Sequence, residues 1–249
     1  DSWALDPDAL AACAGADAII AVHVFGIPAP LAEYRARLSV PIVEDCAQAL
    51  GGHGDGVALG KTGDMAVFSF YATKIIAGGQ GGLVWSADAA LTARVDDVRR
   101  FDCREDYAPR FNFQLTDIQA ALVLSQFDRL EEIRTRRTAI VRRYLASMPA
   151  GFSANFATVP AGAMPYRFVL KAAGADLRER LWRHMSERQI GCIVPVARHE
   201  LLHRYLGLSA ADYPVAEELA DTTLSLPLYP ALGGRETDLV CEALESFRP

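Results

Sequence analysis

Two side chains at strand ends suggest amine chemistry on a small molecule. Asp45 closes the apolar run Pro41-Ile42-Val43-Glu44-Asp45, and Lys74 lies four residues after another apolar run that ends at Phe70. In open α/β sheets, ligands bind outside the carboxyl ends of the strands, so a carboxylate and an amine presented there can face one ligand. A lysine in a partly apolar setting loses part of its affinity for the proton, because burial disfavours the ammonium. It is then a competent nucleophile toward carbonyls. Gly51, Gly52, Gly54 and Gly56, and then Gly78, Gly79, Gly81 and Gly82, allow tight turns or close backbone approach to a ligand. Taken singly, Lys74 also reads as a surface residue and Asp45 as a cap or turn residue.

Other chemistry-bearing residues carry less. His199 and His203 fall in ARHELLHRY, which spells H-E-x-x-H, but no downstream ligand motif accompanies it. His23 reads as a buried, hydrogen-bonded strand histidine. Cys13, Cys46, Cys103, Cys192 and Cys241 are odd in number and show no CxxC spacing. That pattern argues against a zinc site and a disulfide framework, and fits a reducing cytoplasm.

The elements that must position these residues are legible as a pattern. Short apolar runs at 18–25, 41–45, 65–70 and 83–86 read as strands, and 30–38 and 88–101 as helices, the second capped by Asp88. Strands buried on both faces read as continuous apolar runs, so a mainly parallel sheet covered by helices is expected. A long helix is expected over 116–147, with Leu115, Ile118, Leu122, Leu130 and Ile133 as its apolar stripe. Arg134, Arg136, Arg137, Arg142 and Arg143 then form a solvated or inter-subunit face. Met148-Pro149-Ala150-Gly151 breaks it and marks a boundary between domains 1–149 and 150–249. The second domain reads as α+β, with strands at 166–171 and 191–194 and helices at 177–189, 214–223 and 235–247.

Bulk composition narrows the class. At 51% hydrophobic and 22% charged, 249 residues can bury enough surface to offset their ordering entropy, so disorder is disfavoured. The net charge of −6 gives no support for binding a nucleic-acid backbone. The apolar stretch at 18–25 is far shorter than the roughly twenty residues of a membrane helix. It also lacks a basic leader and cleavage site.

The full strings point further. VEDCAQALGG (43–52), GDMAVFSFYATK (63–74), GGQGGLVWS (78–86) and RFNFQLTDIQAALVLSQFDRL (110–130) occur in this order. Together with AIIAVHVFGIP (18–28), VPVARHELLHRYLG (194–207) and YPVAEELADTTLSLPLYPAL (213–232), the series resembles the DegT-type nucleotide-sugar aminotransferases. That resemblance implies a pyridoxal-phosphate enzyme of the aspartate-aminotransferase fold (fold type I), with a large cofactor-binding domain and a smaller α+β C-terminal domain. It implies that Lys74 is the Schiff-base lysine and then the base that moves a proton between substrate and cofactor. Asp45 matches the residue that keeps the pyridinium nitrogen protonated, so that the ring acts as an electron sink. Gln48 matches the residue against the cofactor ring, and Ser69 a hydroxyl donor to the cofactor phosphate. Asn112 matches an asparagine that reaches the phosphate in the neighbouring subunit, which implies a homodimer with a shared site. His199 lies where a C-terminal loop approaches substrate. The implied reaction moves an amino group from an amino acid, glutamate, to a keto nucleotide sugar.

Departures accompany the match. Gln80 stands where the family has Glu, and Gln114 where it has Arg. Relatives also carry a segment upstream of the position matching Asp1, so this sequence is expected to be part of a longer chain. Two other readings of the family compete: a sugar dehydratase, which replaces the lysine by His, and a non-catalytic binding member. An NAD(P) enzyme is disfavoured because no GxGxxG follows the first strand.

Overall fold

A computed structural model describes residues 3–13 and 15–249. Its contacts divide the chain into two compact units. One runs to residue 135 and includes 161–166; the other holds 136–160 and 167–249.

The first unit contains α1 (Pro7–Leu10), β1 (Ile19–Val22), α2 (Leu31–Arg37), β2 (Ile42–Asp45), β3 (His53–Gly54), β4 (Val57–Ala58), β5 (Met65–Ser69), β6 (Gly82–Trp85), α3 (Ala89–Val98), α4 (Asp117–Phe127) and the start of α5 (Leu130–Ala146). The sheet order is β1-β2-β5-β6. β1, β2 and β5 are parallel, and β6 runs antiparallel to β5. The fold is therefore α/β with a mainly parallel sheet. Ile19, Ala21 and Ile42 pack with Leu10, Leu31 and Tyr34 on one face. The Tyr34 hydroxyl donates to the Leu5 carbonyl, so the buried ring keeps a partner for its polar end.

Three expectations need correction here. The sheet is not covered on both faces by the described residues: Ile20 is 64% exposed, and Val22, Leu83 and Val84 are also exposed. Side chains alternate between faces of a strand, and only the Ile19/Ala21 face of β1 is packed. The helix expected over 116–147 is two helices. Thr116 and Gln119 form a capping box that starts α4. The helix then tightens at its end, where the Arg129 N–H donates to the Gln126 carbonyl three residues back. Gln126 also bonds both the N–H and the carbonyl of Ala77, which anchors this end of α4. Finally, Arg137 does not belong to a solvated face; it is buried, and its guanidinium donates to the Leu228 carbonyl.

The second unit contains the rest of α5, then β7 (Phe152–Ala154), β8 (Phe168–Ala172), α6 (Ala175–Glu187), α7 (Leu202–Tyr205), α8 (Pro214–Thr222), β9 (Thr223–Leu226) and α9 (Gly234–Ser246). Its antiparallel sheet has the order β7-β8-β9. Phe168, Leu170, Leu181, Met185, Leu224 and Leu244 are fully buried. The strand expected at 191–194 is reduced to one bridge, Ile193 to Ser225. Among the described residues, no helix is long and apolar enough to cross a membrane.

Candidate active site

The carboxyl ends of the parallel strands gather four of the residues singled out from the sequence. Asp45 is the last residue of β2 and Ser69 the last of β5. The two strands are direct neighbours, with Asp45 paired to Val67. Gln48 follows β2 in a turn, and Lys74 follows β5 in another. This is the edge at which open parallel sheets bind ligands.

Each of these side chains keeps bonding capacity in hand. Asp45 Oδ1 accepts the Ala47 N–H at 2.9 Å, and its other oxygen has no hydrogen bond among the described residues. Ser69 Oγ accepts the Tyr71 N–H at 3.3 Å, which leaves the hydroxyl proton to donate. Gln48 Oε1 accepts the Phe25 N–H at 2.9 Å and leaves its amide NH2 free to donate. Lys74 Nζ has no carboxylate partner among the described residues and lies 5.5 Å from the centre of the Tyr166 ring. A half-buried carboxylate, a hydroxyl, an amide and an amine are the donor set that a phosphorylated pyridine aldehyde requires: an anion for the ring nitrogen, donors for oxygens, and an amine for the aldehyde.

The turn beside Gln48 is held in an uncommon conformation. Phe25 has φ of +57° and is buried, and Gly26 has φ of +86°. A side-chain carbon on residue 26 would sit 2.1 Å from the Met164 carbonyl oxygen, so only glycine fits. The Tyr166 N–H donates to the Phe25 carbonyl at 3.0 Å. The 161–166 segment is thereby fixed against this turn, and Tyr166 against Lys74. Sequence reasoning missed Tyr166, because nothing local ties it to residues so distant in the chain.

Beneath this edge lies a buried polar lock. His23 and Glu44 are both fully buried, with His23 Nε2 2.9 Å from Glu44 Oε2. His23 Nδ1 accepts the Ala29 N–H, so Nε2 carries the ring proton. Glu44 also accepts the N–H groups of Gly60, Thr62 and Gly63. Burial would raise the Glu44 pKa, but the bonds from His23, Gly63, Gly60 and Thr62 outweigh it and hold the carboxyl at about 2. Cys46 lies beside them with donor atoms close enough for a metal site. Both His23 nitrogens and both Glu44 oxygens are already committed, so the cluster reads as a brace for the 60–63 loop. Burial, followed by the nearby Glu44 and Asp45 charges, pushes the Cys46 thiol up and keeps it protonated.

Two of the remaining residues stand apart. Asn112 is exposed and bonds to none of the four strand-end residues. Its neighbours Phe111 and Phe113 stack on each other at 5.0 Å, and the Phe111 N–H donates to the Val98 carbonyl. His199 lies in the other unit, in a short turn at Arg198–Glu200, and is exposed. His203 is buried on α7 and bonds Glu217, so the two histidines of HELLH do not share a helix.

A model of the DegT/DnrJ/EryC1/StrS aminotransferase family matches residues 1–245. The chain is 32% identical over 242 residues to the erythromycin biosynthesis sensory transduction protein EryC1 of Saccharopolyspora erythraea, covering 92% of this chain and 65% of that protein. It is 31% identical over 241 residues to the dTDP-3-amino-3,4,6-trideoxy-alpha-D-glucose transaminase of Micromonospora megalomicea subsp. nigra, covering 91% and 64%. Among solved structures, S. venezuelae DesV in complex with a ketimine intermediate superposes with a TM-score of 0.87 at 28% identity, covering 97% of this chain and 68% of that one. The chain thus spans slightly less than two thirds of the length of these two curated relatives. With the match running through both units, this chain belongs to the DegT/DnrJ/EryC1/StrS aminotransferase family.

Proposed function

We propose that this chain acts in the pyridoxal-phosphate-dependent transfer of an amino group from an amino acid, glutamate, to a keto nucleotide sugar. The observation that carries the reading is the grouping of Asp45, Gln48, Ser69 and Lys74 at the carboxyl ends of neighbouring parallel strands. In this reading residues 1–149 belong to the cofactor-binding large domain and 150–249 to the small domain. The enzyme works in the cytoplasm as a homodimer with a shared site.

When bound, pyridoxal phosphate supplies an electron sink that stabilises negative charge at the substrate carbon bearing the amine. Lys74 would hold the group through its amine, and its Nζ would serve as the base for the proton on that carbon. Asp45 holds a proton on the ring nitrogen by its negative charge. Gln48 would pack against the ring, and Ser69 would offer its hydroxyl to a phosphate oxygen. Asn112 of one protomer would donate to the phosphate held by its partner, and His199 would meet the nucleotide sugar. Retention of a lysine at position 74 favours this chemistry over dehydration.

The test is a panel of keto nucleotide sugars offered with glutamate, read by mass spectrometry. The expected result is conversion of at least one keto sugar to its amine with formation of 2-oxoglutarate. Absence of amination across the panel, with the cofactor demonstrably bound, would remove the proposal.

A further inference from the structure

We propose that Glu217 and Asp221 on α8 form a clamp that positions the 197–206 segment, and with it His199, for the amino-accepting substrate. The proposal rests on the reading in which His199 meets the nucleotide sugar. Glu217 and Asp221 are four residues apart on one helix, so they project from the same side. Glu217 Oε1 accepts from His203 Nε2 at 2.8 Å and from Arg204 Nε at 2.6 Å. Glu217 Oε2 accepts from Arg204 Nη2 at 2.6 Å, which completes a fork-to-fork pair. Asp221 takes the second fork: Arg198 Nε donates to Oδ1 at 2.6 Å and Arg198 Nη2 donates to Oδ2.

The clamp is sheltered where it matters. The Glu217 side chain is 14% exposed and that of His203 is 5% exposed. The arginines at its outer side are more open, Arg204 at 38% and Arg198 at 52% exposed, so the clamp's hold comes from its paired fork geometry. The His203 ring also stacks on Tyr213, with centroids 4.5 Å apart and planes 11° from parallel. Glu200 closes its own turn by accepting the Ala197 N–H at 2.7 Å. Arg198, Glu200, His203 and Arg204 are therefore all tied down. His199, in their midst, is exposed and makes no side-chain hydrogen bond among the described residues. That leaves one uncommitted imidazole on a braced segment, free to meet a ligand.

Glu217 is thus a positioning residue, and a double-mutant cycle tests it. In the full-length protein, H199A and E217Q are each expected to raise KM for the nucleotide sugar about tenfold, more than they lower kcat. The double variant is expected to be no worse than the poorer single one. Trypsin should cut after Arg198 or Arg204 faster in E217Q, with the cofactor absorbance unchanged. If E217Q fails to fold, R204K keeps the charge, loses the fork, and should raise KM by a smaller factor. An unchanged KM in H199A would remove the reading of His199 and the clamp's purpose with it. A raised KM in H199A beside an unchanged one in E217Q, or additive effects in the double variant, would overturn the clamp alone.

Discussion

The two units of this chain solve the burial problem differently. In the unit built on β7, β8 and β9, every residue of β9 is buried, and so are Leu181 and Met185 of α6 and Leu244 of α9. The unit built on β1, β2, β5 and β6 leaves apolar faces open. Ile20, Val22, Leu83 and Val84 are exposed on its strands, and Ile118, Leu122, Leu124 and Phe127 on α4. A groove of about 1090 Å³ runs along β5, β6 and α3, lined by Phe70, Leu83, Val84, Leu91 and Val95. Contiguous exposed apolar surface of this kind marks interaction surfaces. The open unit also holds the strand-end cluster and the buried His23–Glu44 brace. The unit that holds this cluster is the one whose apolar surface is unfinished in the single chain, which fits the proposed sharing of the site between protomers.

That contrast can be broken at several points. The largest effect is expected at Lys74. K74A should lower transamination about 10⁴-fold, whereas K171A, which loses only an exposed pair with Glu218, should stay within a fewfold. Steady-state rates on both variants check this. Next comes the brace. Glu44→Ala strands His23 and three N–H groups in the interior, so urea unfolding should show a loss of about 3–5 kcal/mol. Glu218→Ala in the closed unit should cost under about 1 kcal/mol. Similar losses for the two would erase the distinction.

Smaller effects sharpen it further. Leu122→Glu places a charge on the open face of α4, where the side chain is already exposed. It should weaken self-association in sedimentation measurements while moving stability by less than about 0.5 kcal/mol. Acid stability offers the subtlest check. The folded Glu44 pKa of about 2 lies below its usual 4.5, so its contribution is full above about 4.5 and fades as the pH falls toward 2. The E44Q variant should therefore show a shallower loss of stability across that window than the parent protein.

Much of the open unit was legible in the sequence, because its signals are local. Continuous apolar runs gave β1, β2, β5 and β6 to within a few residues, and Asp88 caps α3 as its position suggests. The motif strings drew attention to Asp45, Gln48, Ser69 and Lys74 together, and strand order brings them to one edge. What the sequence hid depends on partners far along the chain. The antiparallel direction of β6 is set by its pairing with β5 across a glycine turn, and no residue pattern encodes it. The break between α4 and α5 carries no Gly or Pro; it is fixed by Gln126 reaching Ala77. Arg137 has the pattern of a surface arginine in sequence, and only its bond to the distant Leu228 carbonyl marks it as interior. Tyr166 and Glu217 are ordinary residues in sequence and acquire meaning only through contacts with Lys74 and with His203 and Arg204.

Chemical trapping at Lys74 tests the proposed role of this lysine most directly. The full-length protein is mixed with pyridoxal phosphate, its visible absorption recorded, the sample reduced with borohydride, and its peptides mapped. A new absorption band and a single stable modification on Lys74 are expected. A protein that shows no band, or that carries the modification on another lysine, would contradict that role.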